Sequence, residues 1–310
     1  MKREIINTKH PNAILCADLH LRDTTPECRT DNYWVAQGTK FLFILELQRT
    51  YNCPIIVAGD FFHVAKSSPY LESWIIDTLK RNSNNTIFVI PGQHDLPNHS
   101  LELINASSLA VLESAGVVQI LRNEKWDENS YMIHGFPFGF TPKKLDCKTG
   151  KPNICVAHYL INGDFPGSET VEGLVLLNRL IGYSVILTGD NHQQFYTAKK
   201  IGIYTTRWLI NPGSMMRMSA DQEEHTPAVF LWYANSNHIS RVPLPIKEDV
   251  ISREHIDKKK EHDERIAVYV ERLGESDYDV SLSYTHNIKK ELKAQKITKE
   301  VTQKIWEAVG

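Results

Sequence analysis

Five short apolar runs in this chain end directly in side chains able to bind a metal ion. AILCA (13–17) leads into Asp18 and His20, and PIIVA (54–58) into Gly59, Asp60 and His63. TIFVI (86–90) leads into Gly92, Gln93, His94 and Asp95. NICVA (153–157) ends on His158, and SVILT (184–188) on Gly189, Asp190 and His192. Carboxylate and imidazole donors suit Mn²⁺, Fe²⁺ or Zn²⁺, and the lack of thiolate argues against a structural zinc site. A bridging aspartate can hold two ions about 3.5–4 Å apart, a spacing that clamps the attacking and leaving oxygens in phosphoryl transfer. The glycines ahead of Asp60, Gln93 and Asp190 permit tight turns and close backbone approach.

Such residues need elements that bring them together. The five runs read as strands, and helical spacing of apolar residues falls over 33–50 (Val35, Phe41, Leu42, Leu45, Leu47) and 70–81 (Leu71, Trp74, Ile75, Leu79). Strands alternating with helices predict a layered α/β domain. In such sheets ligands bind at the carboxyl ends of strands, so residues from Asp18 to His192 can share one crevice. Further short strands are expected at 117–121, 130–136, 201–210 and 227–233. That strand-rich later part predicts an α/β fold of two mixed β-sheets packed face to face and flanked by helices.

Composition changes near residue 246. Residues 247–310 hold 13 Lys/Arg and 14 Asp/Glu among 64 residues, against 22 and 23 in the first 246. The tail therefore cannot continue the same core. Residues 1–246 are expected to form the catalytic domain, and 247–310 a charged connector with C-terminal amphipathic helices. The formal charge of −2 gives no global basic footprint, so contact with a nucleic acid would rest on local patches, metals or a partner. Five cysteines (Cys16, Cys28, Cys53, Cys147, Cys155), none in a CxxC pair, predict reduced thiols. With no stretch resembling a signal peptide or membrane span, the expectation is a cytoplasmic protein.

The motifs DxH, GDxxH, GQHD, a lone histidine after a strand and GxxH, in this order, resemble the calcineurin-like metallophosphoesterase superfamily. GDFFHVAKSSPYLESWIIDTLKR, VIPGQHDLPNHS, SAGVVQIL and INPGSMMR (210–217) resemble its SbcD-type branch, the nuclease subunit of a double-strand-break repair complex. The resemblance covers roughly residues 12–235. It implies a first metal held by Asp18, His20, Asp60 and His192, and a second held by Asp60, Gln93, His158 and Asp190. It implies that His94, oriented by Asp95, faces the scissile phosphate and either stabilises its charge or protonates the leaving oxygen. His63 would help handle the DNA strand. Water activated by the two cations would attack in line.

Two positions depart from that pattern. Members of this family usually carry Asn at the Gln93 position and His at the Asp190 position, and both changes fall on the second metal. Gln adds about 1.5 Å of reach, while Asp is shorter than His and brings a charge. Three carboxylates against two dications favour Mn²⁺ or Mg²⁺ over Zn²⁺. The resemblance further implies a homodimer through helices near 70–81 and 100–114, and an SbcC-type ATPase docked on the C-terminal helices. The short tail leaves no room for the capping domain that many relatives insert, as expected of a phage-encoded version. The function expected is DNA exonuclease and single-strand endonuclease action in repair or recombination. A phosphatase with a non-DNA substrate, or a DNA-bridging scaffold with a degenerate site, are the other readings. His99 reads as a solvated loop histidine, and His134 as strand-end packing.

Overall fold

Ile14 and Cys16 of strand β1 (Ala13–Cys16) belong to one apolar core, and Ala13 and Leu15 to another. This alternation, the period of two that a strand imposes, sets the layering of the whole domain. The computed structural model describes residues 10–145, 150–161, 173–201, 205–275, 288–289, 291–293 and 297–309. It divides into two compact units, Met1–Arg253 and Glu254–Gly310.

In the first unit β1 lies at the middle of a six-stranded mixed sheet. β2 (Ile55–Val57), β3 (Ile87–Val89) and β4 (Gln119–Ile120) follow it in parallel on one side. A second mixed sheet of six strands is built around β6 (Tyr131–Phe136), β7 (Asn153–His158), β8 (Val185–Gly189) and β10 (Thr205–Asn211), all parallel. Antiparallel strands complete both sheets. β11 (Ala228–Tyr233) and β12 (His238–Pro243) extend the first, and β5 (Lys125–Glu128) and β9 (Phe195–Ile201) edge the second.

Leu15, Ile56 and Phe88 from one sheet meet Ile154, Val156, Val185, Leu187 and Ile210 from the other, with Trp232 and Tyr131 filling the same layer. Helices α1 (Tyr33–Tyr51), α2 (Pro69–Asn82) and α3 (Ser108–Ser114) cover the outer face of the first sheet through Phe41, Ile44, Leu45, Leu71, Ile75, Leu79, Leu109 and Leu112. Helix α4 (Gly173–Arg179) covers the second sheet through Leu176 and Leu177. The two mixed sheets packed face to face between helices are therefore present. Each of the first three helices starts on a side-chain cap: Asn32 to Val35 N–H, Ser68 to Leu71 N–H and Ser107 to Ala110 N–H.

Several local expectations change. The single strand over 201–210 is replaced by the pair β9 and β10; β9 carries Lys199 and Lys200 on an exposed edge, so no apolar run marks it. β5 and β12 are edge strands with charged residues and were hidden for the same reason. The apolar stretch 100–114 is not one helix. It begins as a 3₁₀ turn, Leu101–Ala106, and becomes α-helical only after Ser107 caps Ala110. Cys147 lies outside the described residues; Cys16, Cys28, Cys53 and Cys155 are buried free thiols. In the second unit, helix α5 (Glu254–Glu275) carries the i,i+4 pairs Glu254–Lys258 and Glu261–Arg265, and helix α6 spans Lys299–Val309. No described helix is long and apolar enough to cross a membrane.

One buried cation ties α1 to the sheet. Lys40, 4% exposed, donates from Nζ to the Met215 carbonyl at 3.0 Å. Burial, reinforced by the Arg29 and Arg217 charges, lowers its pKa to about 7. A lysine in the unfolded chain titrates near pH ~10.4, so above pH 7 the unfolded state binds a proton the folded state does not, and the contribution of Lys40 to stability rises with pH. Burial raises the thiol pKa of Cys16, Cys53 and Cys155, which acts in the opposite sense at higher pH. The window to measure is therefore about pH 7–8.5. Denaturant titrations there should show Lys40 adding on the order of 1–2 kcal/mol with rising pH. His158, whose raised pKa acts in the opposite sense across this window, is common to both chains, so the stability difference between the parent and Lys40→Met should change by that amount with rising pH; a pH-independent difference would exclude Lys40.

Candidate metal centre

The loops that leave β1 and β2 stay hydrogen-bonded after the strands end. Asp18 N–H donates to Gly59 O (3.1 Å), His20 N–H to Asp60 O (2.9 Å), and His63 N–H to Leu21 O (3.1 Å). This zipper fixes the register of Asp18 and His20 against Asp60 and His63. The backbone adopts unusual torsions around the site: Asp18 (φ 49°), His20 (φ 44°), Asp60 (φ 49°) and Asp190 (φ 83°) all sit in the left-handed region. Such residues cost on the order of 1–3 kcal/mol each and gather at functional sites. Gly92 is needed for closeness alone, since a Cβ there would lie 2.1 Å from Asp60 Oδ1. Gly59 is needed twice, for φ 89° and because its Cβ would lie 2.0 Å from His158 Nδ1.

Asp60 is fully buried, and its two oxygens have different surroundings. Oδ1 accepts the His94 backbone N–H at 2.9 Å. Oδ2 has no hydrogen-bond partner; it lies 3.6 Å from His20 Nε2 and 3.5 Å from His158 Nε2. His158 turns Nδ1 to the Ala58 carbonyl at 2.8 Å, which directs Nε2, also unpartnered, at the carboxylates. A carbonyl on the remote nitrogen is the arrangement that orients metal-binding histidines. His20 Nε2 and His192 Nε2 face each other at 3.0 Å. On the other flank, Gln93 Nε2 donates to Asp190 Oδ1 at 2.7 Å, and Asp190 Oδ1 lies 4.0 Å from His158 Nε2. That leaves Gln93 Oε1 buried without a donor.

Among the described residues, three sets of side chains have ligand atoms within 4.8 Å of one another: Asp18–His20–His192, Asp18–Asp60–His158 and His20–His63–His94. The unpartnered Asp60 Oδ2 and His158 Nε2 lie 3.5 Å apart, and with Gln93 Oε1 also unpartnered they are donors that cations would satisfy, so the donor set fits divalent metal ions. Asp18 lies within reach of both the histidine pair and the Asp60–His158 side, a shared position the sequence did not suggest.

The electrostatics divide the site. Burial, with the neighbouring imidazoles, holds His20 well below the usual histidine range, although Asp60 opposes it. Burial lowers His192 as well. Neutral rings are the ligating form. His158 is pushed up to about 10: its burial acts downward, but Asp60, Asp18 and Asp190 outweigh it. The carboxylate side thus calls for positive charge at Nε2, from a proton or a metal cation. Burial also drives Asp18 upward, while Asp60, despite its own burial, is pulled below the carboxylate range by His158 and His20.

Asp95 requires a correction. It does not orient the His94 ring. Its carboxylate is buried and accepts the backbone N–H groups of Phe61 (3.2 Å), Phe62 (2.9 Å) and Gly92 (3.0 Å). It therefore positions the Gly59–His63 and Gly92–Asp95 loops against each other. The partner of His94 Nδ1 is the His63 carbonyl at 2.9 Å. The His63 ring stacks on His94 with centroids 5.5 Å apart and planes at 12°. His99 is exposed and bonds the Gln93 carbonyl, and His134 packs inside β6 against Asn153 and Tyr183.

Sequence reading missed the supports supplied by the INPGSMMR turn. Asn211 Nδ2 donates to the carbonyls of Asn191 and Gln193, both at 2.7 Å, on either side of His192. Ser214 N–H holds the His192 carbonyl (3.1 Å), and Met215 N–H the Asp18 carbonyl (3.1 Å).

No protein-family model matches this chain, and no curated protein matches it. Among solved structures it is similar to the protein TT1561 of Thermus thermophilus, at 8% identity and a TM-score of 0.47, over 76% of this chain and 100% of that one. It is also similar to nuclease MPE of Pseudomonas putida (15% identity, TM-score 0.34, 75% and 88% of the two chains). A metallophosphoesterase from Sphaerobacter thermophilus gives 8% identity and a TM-score of 0.35 over 76% and 89%. Likenesses at this level carry no residue role to this chain.

Calorimetric titration of the metal-stripped protein with Mn²⁺ should saturate at two ions per chain. Asp60→Asn should weaken both by at least about 100-fold, and Asp190→Ala should abolish one. A single ion in the parent chain, unaffected by Asp190→Ala, would remove Asp190 and Gln93 from the ligand set.

Proposed function

We propose that this chain is a two-metal phosphodiesterase that cleaves DNA, with exonuclease and single-strand endonuclease action in repair or recombination. The observation that carries the reading is the unpartnered Asp60 Oδ2, placed between His20 Nε2 and His158 Nε2 as a bridging carboxylate would be. Asp18, His20, Asp60 and His192 would hold one cation, and Asp60, Gln93, His158 and Asp190 the other. Three carboxylates at the pair favour Mn²⁺, with Mg²⁺ as the alternative. When bound, two such ions supply the positive charge that acidifies water and neutralises phosphoryl oxygens.

The chain's own groups do the remainder. His94, with Nδ1 committed to the His63 carbonyl, has Nε2 as its working atom. Protonated there, it would donate to the leaving oxygen or to the phosphate. His63, stacked on His94, offers a flat face beside the reacting group. Its pKa is lowered to about 4, chiefly by burial and then by the Arg22 charge, which keeps that face neutral near pH 7. DNA is the substrate favoured by the GDFFH, GQHD and NPGS..R stretches, whose resemblance is to nucleases.

The reading also includes a homodimer and an SbcC-type ATPase docked on the C-terminal helices. In support of the dimer, Tyr70 is 66% exposed at the start of α2, and Leu103 and Val111 are 42% exposed in the neighbouring elements. Sedimentation should give twice the chain mass, and a combined Tyr70→Glu, Val111→Glu change should halve it; an unchanged mass would reject this face.

Labelled duplex ends, single strands and p-nitrophenyl phosphate, assayed side by side with Mn²⁺, test the substrate. Cleavage of both DNA forms is expected, and His94→Gln should lower turnover by about 10²–10⁴ with metal stoichiometry retained. Hydrolysis of the small phosphate alone would replace the nuclease with a phosphatase, and cleavage of nothing would leave a DNA-bridging scaffold.

A further inference from the structure

A second concentration of charge lies apart from the histidines, beside the start of helix α1. A pocket of about 300 Å³ is lined by Arg29, Asn32, Val35, Lys40, Arg217 and Lys247, together with Asp31. Arg29, Lys40 and Arg217 are 9%, 4% and 6% exposed. Arg29 is neutralised by a two-pronged pair with Asp31, Nε to Oδ1 at 2.8 Å and Nη2 to Oδ2 at 2.7 Å. Among the described residues no carboxylate lies within ion-pair distance of Lys40 or Arg217. Lys247 adds charge at the exposed rim.

These cations have an evident structural duty. Arg29 Nη1 holds the Arg217 carbonyl (3.0 Å), Lys40 Nζ the Met215 carbonyl (3.0 Å), and Arg217 the carbonyls of Glu223 (3.0 Å) and Lys247 (2.5 Å). Holding carbonyls explains where the groups are. It does not explain why cation-forming side chains stand there, because buried charge without a counter-ion is costly and neutral donors would serve. Nor does it use Arg217 Nε, which is buried with no acceptor.

The helix adds to the imbalance. Asn32 caps α1 through Val35 N–H, and the first turn carries no acidic residue. The pocket runs along one side of the first two turns of this 19-residue helix, from Asn32 through Val35 to Lys40, where the helix dipole adds positive potential to a site already in excess of cations. Burial together with the Arg29 and Arg217 charges lowers Lys40, and burial with the Arg29 charge lowers Arg217, outweighing the opposing pull of Asp31 on both and of Glu223 and Glu248 on Arg217.

We propose that this pocket is an anion site that binds a phosphate group. After the Arg29–Asp31 pair, Arg217 and Lys247 remain as full positive charges beside Lys40, with Glu223 and Glu248 acting on Arg217 only from beyond ion-pair distance, which suits the dianionic charge of a phosphate monoester. Guanidinium, ammonium and helix N-terminus are the groups that recognise tetrahedral oxyanions. The occupant would also bear on the metal centre, because the Met215 carbonyl is held by Lys40 while the Met215 N–H holds the Asp18 carbonyl.

The test uses the full chain, stripped of metal and dialysed, titrated with inorganic phosphate by calorimetry and by thermal shift. Saturable one-to-one binding is expected in the parent chain, weakened at least tenfold in Lys40→Met and in Val35→Glu. Val35 is 58% exposed at the third position of α1, where a carboxylate favours the helix. Val35→Glu therefore preserves folding while supplying a competing negative charge, and its Mn²⁺ binding should be unchanged. Non-saturating phosphate in the parent, or parent-like affinity in Val35→Glu, would overturn the proposal. Single strands with and without a 5′-phosphate separate the sources. A tenfold preference for the phosphorylated strand, lost in Val35→Glu, identifies a strand end; no preference, with inorganic phosphate still bound, identifies free phosphate or a mononucleotide.

Discussion

A fully buried carboxylate at the carboxyl ends of two sheets is the constraint from which most of this structure follows. Asp60 has no exposure, one oxygen on a backbone amide and the other on nothing but two imidazole edges. An ionised group in that position is tolerable only with compensating charge close by. The requirement explains why Gly92 and Gly59 admit no side chain, since either Cβ would fall on Asp60 or His158. It explains the left-handed torsions at Asp18, His20, Asp60 and Asp190, which accompany the convergence of residues from separate loops. It also explains Asp95, a second buried carboxylate that accepts three amides to pin the loops bearing Asp60 and Gln93.

The same carboxylate divides the site into unlike halves. His20 is surrounded by His192, His94 and His63, so burial and repulsion keep it neutral. His158 is surrounded by Asp60, Asp18 and Asp190, so it is drawn toward the cationic form against its burial. Two imidazoles on one fold are thus shifted in opposite directions by unlike surroundings. One is rich in nitrogen and the other in oxygen.

The strand ends were legible because each couples two strong signals, a β-branched run and an immediate Asp, His or amide. Asp18, His20, Asp60, Gln93, His158, Asp190 and His192 all come together as those signals implied. The layering was legible too, from strand–helix alternation. What escaped were elements whose roles are tertiary. β5, β9 and β12 are charged edges without an apolar pattern. The break at Ser107 depends on one hydroxyl, which turned an apparent helix over 100–114 into two pieces. Asp95 was misread because GQHD places it next to His94 in sequence, whereas its partners are amides in the preceding loop and Gly92. Lys40 and Arg217 were invisible as a pair because helix α1 and the 214–217 turn meet only in space.

The departures at Gln93 and Asp190 are best understood as one change rather than two. Gln93 is longer than asparagine by one methylene, and Asp190 is shorter than histidine. Their side chains meet at 2.7 Å, so the added reach on one side closes the gap left on the other. The contact also settles orientation. With Gln93 Nε2 committed to Asp190 Oδ1, the acceptor Oε1 is the atom left buried and unpartnered. A shorter amide would forfeit that contact, and a neutral imidazole at 190 would remove one of the three carboxylates that draw positive charge to His158. Set against the pattern the sequence resembles, each exchange makes physical sense only with the other in place, and together they set an amide and a carboxylate beside His158.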